Sequence, residues 1–364
     1  MTDSNRGSSR IGTVPRLCGR ASVLAGVWIF CVMPAAADEP ANEAPLFMDD
    51  TVLAMEFELD FTRICRDPTR GDCEDLPTTV YYFDAEDNRH RTDVKLRTRG
   101  RWRRGTGNCA FPAMFAYFDE EQNRGTLFEG QKTLALTTHC QHAKRNYEGY
   151  TLKEYLAYRF YNLLTDASMR VRLARIVYRD SASGREYERY GFFSEHFDDL
   201  ARRLGGERYE VDKLDPRDID ATELATLSVF QYMIGNLDWS VIVGHNIVVF
   251  RRHDGTLVPV PFDFDYSGLV NARYAVPPDI EKLRNVRTRK YWGFCRADID
   301  WNGVFPRFLA LRSDVAELVQ DLLDGYPKEH RQTADYLTFF YETIESEKRR
   351  RKYIVEACRP VPKL

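Results

Sequence analysis

The apolar pattern of this chain changes period once, near residue 194, and that change limits the folds open to it. Before it, short runs alternate with the two-residue period of half-buried strands: Leu53 to Ile64, Thr78 to Phe83, Phe111 to Phe118 and Lys132 to Thr138. A hairpin pattern follows, Val171 to Tyr178 and Tyr187 to Phe193, turned at Ser181–Gly184. One helix is embedded among these strands, opening at Thr151 and running to Leu164, with Leu152, Tyr155, Leu156, Phe160 and Leu163 at helical spacing. Beyond residue 194 the patterns are helical. Asp198 to Leu204 is stopped by Gly205-Gly206, and Glu223 to Ile234 is apolar nearly all round and therefore buried. Val315–Leu323 and Tyr336 to about Cys358 complete the set. A single hairpin interrupts them, Ile247–Arg251 and Leu257–Pro261, turned at Asp254-Gly255. Strands and helices segregated in this way predict a two-lobed α+β protein rather than alternating βαβ units. The β-rich lobe spans 51–194 and the helical lobe 195–364.

The first 37 residues read as an export signal. Arg16 and Arg20 end a basic stretch, Ala21 to Met33 is apolar, and Ala35-Ala36-Ala37 supplies small residues for cleavage before Asp38. The apolar run is about 13 residues, short of the roughly 20 that cross a bilayer as a helix. No stable membrane insertion after cleavage is expected, and the protein is read as periplasmic or extracellular. Residues 38–50, polar and proline-containing, read as a disordered approach. Removing the leader, with its four Arg and one Asp, takes the net charge from −3 to −6. Nucleic acid is therefore excluded as a partner, since bulk phosphate binding needs a positive excess.

Six cysteines follow the leader: Cys65, Cys73, Cys109, Cys140, Cys295 and Cys358. An even number in an exported chain points to disulfides, and Cys65–Cys73, flanking a Pro/Gly loop, is the first pair expected. Zinc is the rival reading, but there is no C-x-x-C to support it. His139, Cys140 and His142 lie close together without a fourth ligand.

The chemistry concentrates between Ile234 and Asn271. A buried helix delivers Asn236 and Asp238 into a loop, Asn246 begins a hairpin, and the second strand ends at Asp263 and Asp265. Because a hairpin returns the chain to its origin, Asp263 can lie beside Asn246. Carboxylate and amide oxygens are hard ligands suited to Mg²⁺ or Mn²⁺. The order resembles that of protein kinases, with a loop Asp as base, a following Asn on the metal and a later Asp on the metal again. Asp238 would be the base, Asn246 and Asp263 the ligands, and Asp265 a supporting or second-metal carboxylate. The alternative is that Asp238 and Asp265 cap turns. The Asp238–Asn246 interval is eight where the kinase motif has five, so a longer loop is expected.

N-x-D, then H-N at a strand start, then V-P-x-D-x-D resembles the CotH family of secreted, protein-kinase-like phosphotransferases. RTRG at 97–100, LFEGQK at 127–132, the helix from Thr151 and GFFSEHFDDLARRLG at 191–205 extend the resemblance over roughly residues 95–270. It implies a kinase-like fold that uses ATP with a divalent metal. A cation on the phosphates would then be Lys132, with Glu154 as its helix partner. Thr151 and Glu154 also spell a capping box, in which Glu154 would reach back to the N-cap amide instead. There is no G-x-G-x-x-G; the basic run around Gly100, Arg99 included, could cover phosphates through its guanidinium forks, or be a solvated surface. Glu195 faces the nucleotide or starts a helix. His245 beside Asn246 shapes the loop or makes a structural hydrogen bond, and the Lys348–Lys352 run decorates a helix face.

The expected activity is Mg²⁺- and ATP-dependent phosphoryl transfer to a protein hydroxyl. A non-catalytic exported binding or structural protein on the same scaffold, and nucleotidyl transfer to a protein, are the alternatives.

Overall fold

In a computed structural model, residues 44–363 are described, apart from 68, 70–72, 106, 143, 280 and 281. The expected leader lies outside the described residues. The strands before residue 194 follow directly from alternation. In β1 (Leu53–Leu59), Leu53, Met55, Phe57 and Leu59 turn inward. β2 (Leu76–Phe83) contributes Leu76, Val80 and Tyr82, and β3 (Arg89–Thr98) contributes Val94 and Leu96. β4 (Met114–Tyr117), β5 (Thr133–Thr137), β6 (Val171–Asp180) and β7 (Glu186–Ser194) complete the set.

These seven strands form a closed barrel in the order β1-β2-β3-β4-β5-β7-β6. Closure is made by β1 running parallel to β6, from Leu53 opposite Ala174 to Leu59 opposite Asp180. Phe57, Val80, Leu96, Leu134, Ile176, Tyr178 and Phe193 fill the interior. This closure overturns the expected two-lobed, protein-kinase-like fold. The β-rich part is a sealed barrel rather than an open sheet, and the described residues belong to one compact unit. Alternation dictates which face of a strand is buried but not which strand it pairs with, and β1 finds its second partner far along the chain.

α1 (Arg145–Leu164) starts six residues before the expected Thr151 and packs against β6 and β7 of the barrel. It is shared with a second core containing Leu156, Phe160, Phe230, Ile234, Phe264 and Phe340. After β7 come α2 (Phe197–Arg203) and the short β8 (Gly206–Arg208). α3 (Ala221–Ile234) starts at Asp220, whose carboxylate accepts the Thr222 and Glu223 amides at 2.9 and 3.0 Å. Every residue from Leu224 to Ile234 is buried, as its all-round apolar sequence requires. β9 (Ile247–Arg252) and β10 (Leu257–Pro261) make the expected hairpin, with β8 on the outer side of β9. α4 (Trp301–Ala310), not anticipated from the sequence, precedes α5 (Arg312–Leu323), α6 (Pro327–Glu345) and α7 (Glu347–Arg350).

Residues 44–50, expected to be part of a disordered approach, are ordered. Pro45–Phe47 forms a 3₁₀ turn, Leu46 is wholly buried, and Asp49 pairs with Arg172 at 2.8 Å. Cys65–Cys73 is bonded as expected, alongside Cys109–Cys140 and Cys295–Cys358. Three such bonds are compatible with an oxidising, exported setting. Cys140 is thereby removed from any metal reading with His139 and His142. Among the described residues no helix is long and apolar enough to cross a membrane.

Candidate active site

α3 ends at Gly235, whose left-handed backbone (φ 64°) turns the chain sharply out of the helix. Any side chain there would strike the Tyr336 hydroxyl. The turn is fixed by Asn236, which is 1% exposed and accepts the Asp238 amide on Oδ1 at 3.0 Å. Its carbonyl takes the Trp239 indole N–H at 3.2 Å. Ser240 and His245 then exchange backbone hydrogen bonds at 2.9 and 3.0 Å, so residues 240–245 form a small closed loop. That loop accommodates the long Asp238–Asn246 interval and returns Asn246 to Asp238.

There the side chains meet. Asn246 Nδ2 donates to the Asp238 carbonyl at 2.8 Å and to its Oδ2 at 3.1 Å. His245 Nε2 lies 2.8 Å from Asp238 Oδ1. The β9–β10 hairpin closes on the same spot, with the Phe262 amide donating to the Asn246 carbonyl at 3.1 Å. Asp263 follows, its amide donating to the buried Tyr158 hydroxyl of α1 at 2.9 Å. Asn246 (φ 52°) and Asp263 (φ 61°) both hold left-handed backbone. For an L-residue that conformation costs roughly 1–2 kcal/mol, tolerated best by Asn and Asp.

Charge is crowded around this junction. Burial, and then the neighbouring Asp265, push the Asp263 carboxyl up to about 6, against the pull of Arg103 and Arg99. Glu154 on α1 is 3% exposed; burial pushes it up to about 8, with Asp265 and Asp263 adding to the effect and Arg103 opposing it. Arg103 bridges the group, 2.8 Å from Asp265 and 3.5 Å from Glu154. Asp265 also accepts the Tyr274 hydroxyl at 3.0 Å.

Asp238, Asn246, Asp263, Asp265, Glu154 and Arg99 therefore share one neighbourhood, and two expected members do not. Lys132 is exposed and pairs with Glu120 at 3.1 Å, so it is not the partner of Glu154. Glu154 lies well inside α1 rather than in its first turn, which also removes the capping-box role. Glu195 accepts the Arg170 amide at 3.1 Å and both Arg203 guanidinium nitrogens Nε and Nη2, a structural clamp beside α2. Asp265, expected near the metal, is engaged by Arg103 and Tyr274. Sequence reading placed Arg103 only within the basic run around Gly100 and did not assign its contacts with Asp265 and Glu154. It also missed Tyr158, one helical turn beyond Glu154 and hence on its face of α1.

Among the described residues no three His, Cys, Asp or Glu side chains already converge on a single point as a metal centre. The oxygens that would fit Mg²⁺ are the Asp263 carboxylate, raised by burial and then by the neighbouring Asp265, and Asn246 Oδ1, which accepts no hydrogen bond among the described residues. A divalent cation favours such a mixed carboxylate–amide set, completed by water and phosphate. Comparison with protein-family models, curated proteins and solved structures returned no match. The resemblance to the CotH family accordingly rests on the residues quoted for it.

Proposed function

We propose that this protein is a metal-dependent phosphotransferase of the CotH kind, moving the terminal phosphoryl group of ATP to a protein hydroxyl outside the cytoplasm. The observation that carries this reading is the meeting of Asp238, Asn246 and Asp263 at the base of one hairpin, two of them on left-handed backbone. Backbone strain at polar residues is retained where their side chains must be aimed. Asn246 and Asp263 would hold Mg²⁺, which when bound neutralises phosphate charge.

The remaining work falls to the chain itself. Asp238 accepts the proton of the attacking hydroxyl. His245 and Asn246 each hold one of its carboxylate oxygens, and its side chain is 37% exposed, within reach of a large acceptor. Arg99 and Arg103 supply positive charge beside the carboxylates, Arg103 from a position locked by Asp265 and Glu154. Phosphoryl transfer asks for this kind of positioning and charge neutralisation more than for covalent chemistry.

A second reading, a binding protein without catalysis, is favoured by the engagement of Asp265 with Arg103. The two are separated by incubating residues 38–364 with γ-labelled ATP, Mg²⁺ or Mn²⁺, and secreted extract. Labelled protein that depends on metal and on Asp238 supports transfer. Nucleotide binding without any label supports the binding protein. Label retained only from α-labelled ATP would mean nucleotidyl transfer.

A further inference from the structure

Next to Glu154 on α1, Lys153 turns its side chain away from the acidic junction and buries its ammonium without a carboxylate partner. It is 3% exposed; Nζ donates to the Val270 carbonyl and lies 5.4 Å from the centroid of the Tyr150 ring. Among the described residues no Asp or Glu is within ion-pairing distance of it. Burial holds its pKa down at about 8, and Arg287 and Lys328 oppose its charge while Glu329 favours it. An ammonium this deeply buried is strongly unfavourable unless a counter-charge joins it.

The group is not sealed in. It lines a cleft of about 660 Å³ whose walls also carry Arg273, Arg284 and Lys328 against the single carboxylate of Glu329. Arg273, Arg284 and Lys328 are exposed, so their charges are screened on the outer wall while Lys153 acts from a desolvated floor. Asn271, in left-handed conformation (φ 52°), adds an amide to the lining. Three exposed cations around one desolvated ammonium face the single carboxylate of Glu329.

We propose that this cleft is a binding site for a phosphate-bearing small anion, with Lys153 as the buried point charge and Arg273 and Arg284 as the rim. Guanidinium and ammonium groups are the side chains that recognise phosphate, Arg by its fork and Lys by its compact charge. The site is separate from the Asp238–Asp263 junction and does not rest on its chemistry.

The test uses residues 38–364 in EDTA, so that metal-dependent nucleotide binding at the acidic junction is silent. Inorganic phosphate and pyrophosphate are titrated by calorimetry and by thermal melting, with acetate and chloride at matched ionic strength. Saturable binding and a higher melting temperature are expected for the two phosphates alone. Lys153→Met should melt no lower than the parent in anion-free buffer, because a lone buried charge has been removed, and should bind at least tenfold more weakly. Arg273→Ala and Arg284→Ala, exposed and harmless to folding, should each weaken binding several-fold. Equal responses to phosphate and acetate would overturn the proposal. So would rim variants that bind like the parent, or a Lys153→Met protein that melts lower yet still binds phosphate, which would make Lys153 a structural donor to Val270.

Discussion

The Asn246 side-chain amide reaches back across the 240–245 loop to the Asp238 carboxylate at 3.1 Å, joining the expected base to the expected metal ligand. The contact gives the two Asp residues of this junction distinguishable roles. Asp263→Ala should abolish metal-dependent ATP binding and leave the fold intact, since it removes a carboxylate raised by burial and by the Asp265 charge. Asp238→Ala should keep nucleotide binding and lower turnover by ~10²–10⁴-fold, the usual scale of lost acid–base catalysis. Both are read by nucleotide calorimetry alongside the labelling assay. Parent-like binding and turnover in both variants would make the junction purely structural.

Arg103 is expected to matter for stability. It is the cation between Asp265 and Glu154, with all three side chains largely buried. Arg103→Met should destabilise the protein by about 3–5 kcal/mol in urea unfolding, because it strands two carboxyls away from water. Adding Asp265→Asn should recover part of the loss. A double variant no more stable than the single one would show that Asp265 is not what Arg103 balances.

The three disulfides close spans of 8, 31 and 63 residues. Intact mass should fall short of the reduced chain by six hydrogens, two for each bond. Loop-closure entropy ranks their contributions, from roughly 2.5 kcal/mol for Cys65–Cys73 to about 4 for Cys295–Cys358. Serine replacement of each pair, followed by thermal unfolding, tests the order. A greater loss from the Cys65–Cys73 pair would contradict it.

The pair His139 and His142, 2.9 Å apart among Phe61, Phe111, Tyr178 and Tyr187, should make the protein acid-sensitive. An unfolded histidine takes its proton near pH 6.5, whereas burial and then Arg189 hold His142 down at about 4, and burial holds His139 well below the usual range. The folded values are depressed, so this stability is complete above about pH 7 and is lost as the pH falls toward 4. Asp263 and Glu154, whose carboxyls are raised, act in the opposite direction. The readout is therefore the slope of stability against pH in the parent compared with His142→Asn. Equal slopes would show that the pair does not set acid sensitivity.

Local pattern carried much of this structure, and its failures have a common cause. Alternation located the strands around Phe57, Val80, Leu134 and Phe193, and the Asp254-Gly255 turn located the hairpin that brings Phe262 onto Asn246. Both signals are local in sequence. The second partner of β1 is β6, and nothing in Leu53–Leu59 encodes that choice. Lys132 occupied a plausible place in chain order, but Arg103, from the basic run around Gly100, reaches Glu154 in space. The 240–245 loop was expected only as extra length. Its function, returning Asn246 to Asp238, depends on backbone bonds between Ser240 and His245 that composition does not reveal.

The parallel seam between β1 and β6 also makes the first strand wait. In a chain that emerges from its amino end, β1 to β5 can zip up in order, each beside its predecessor. Both outer rows of amides and carbonyls nevertheless stay open until the residues through Ser194 have arrived. During that interval the half-built meander offers its edges to any other extended segment nearby. It is the form of this protein that a holding chaperone would have to shield, and refolding yield should be governed by dilution rather than by the stability of the finished barrel.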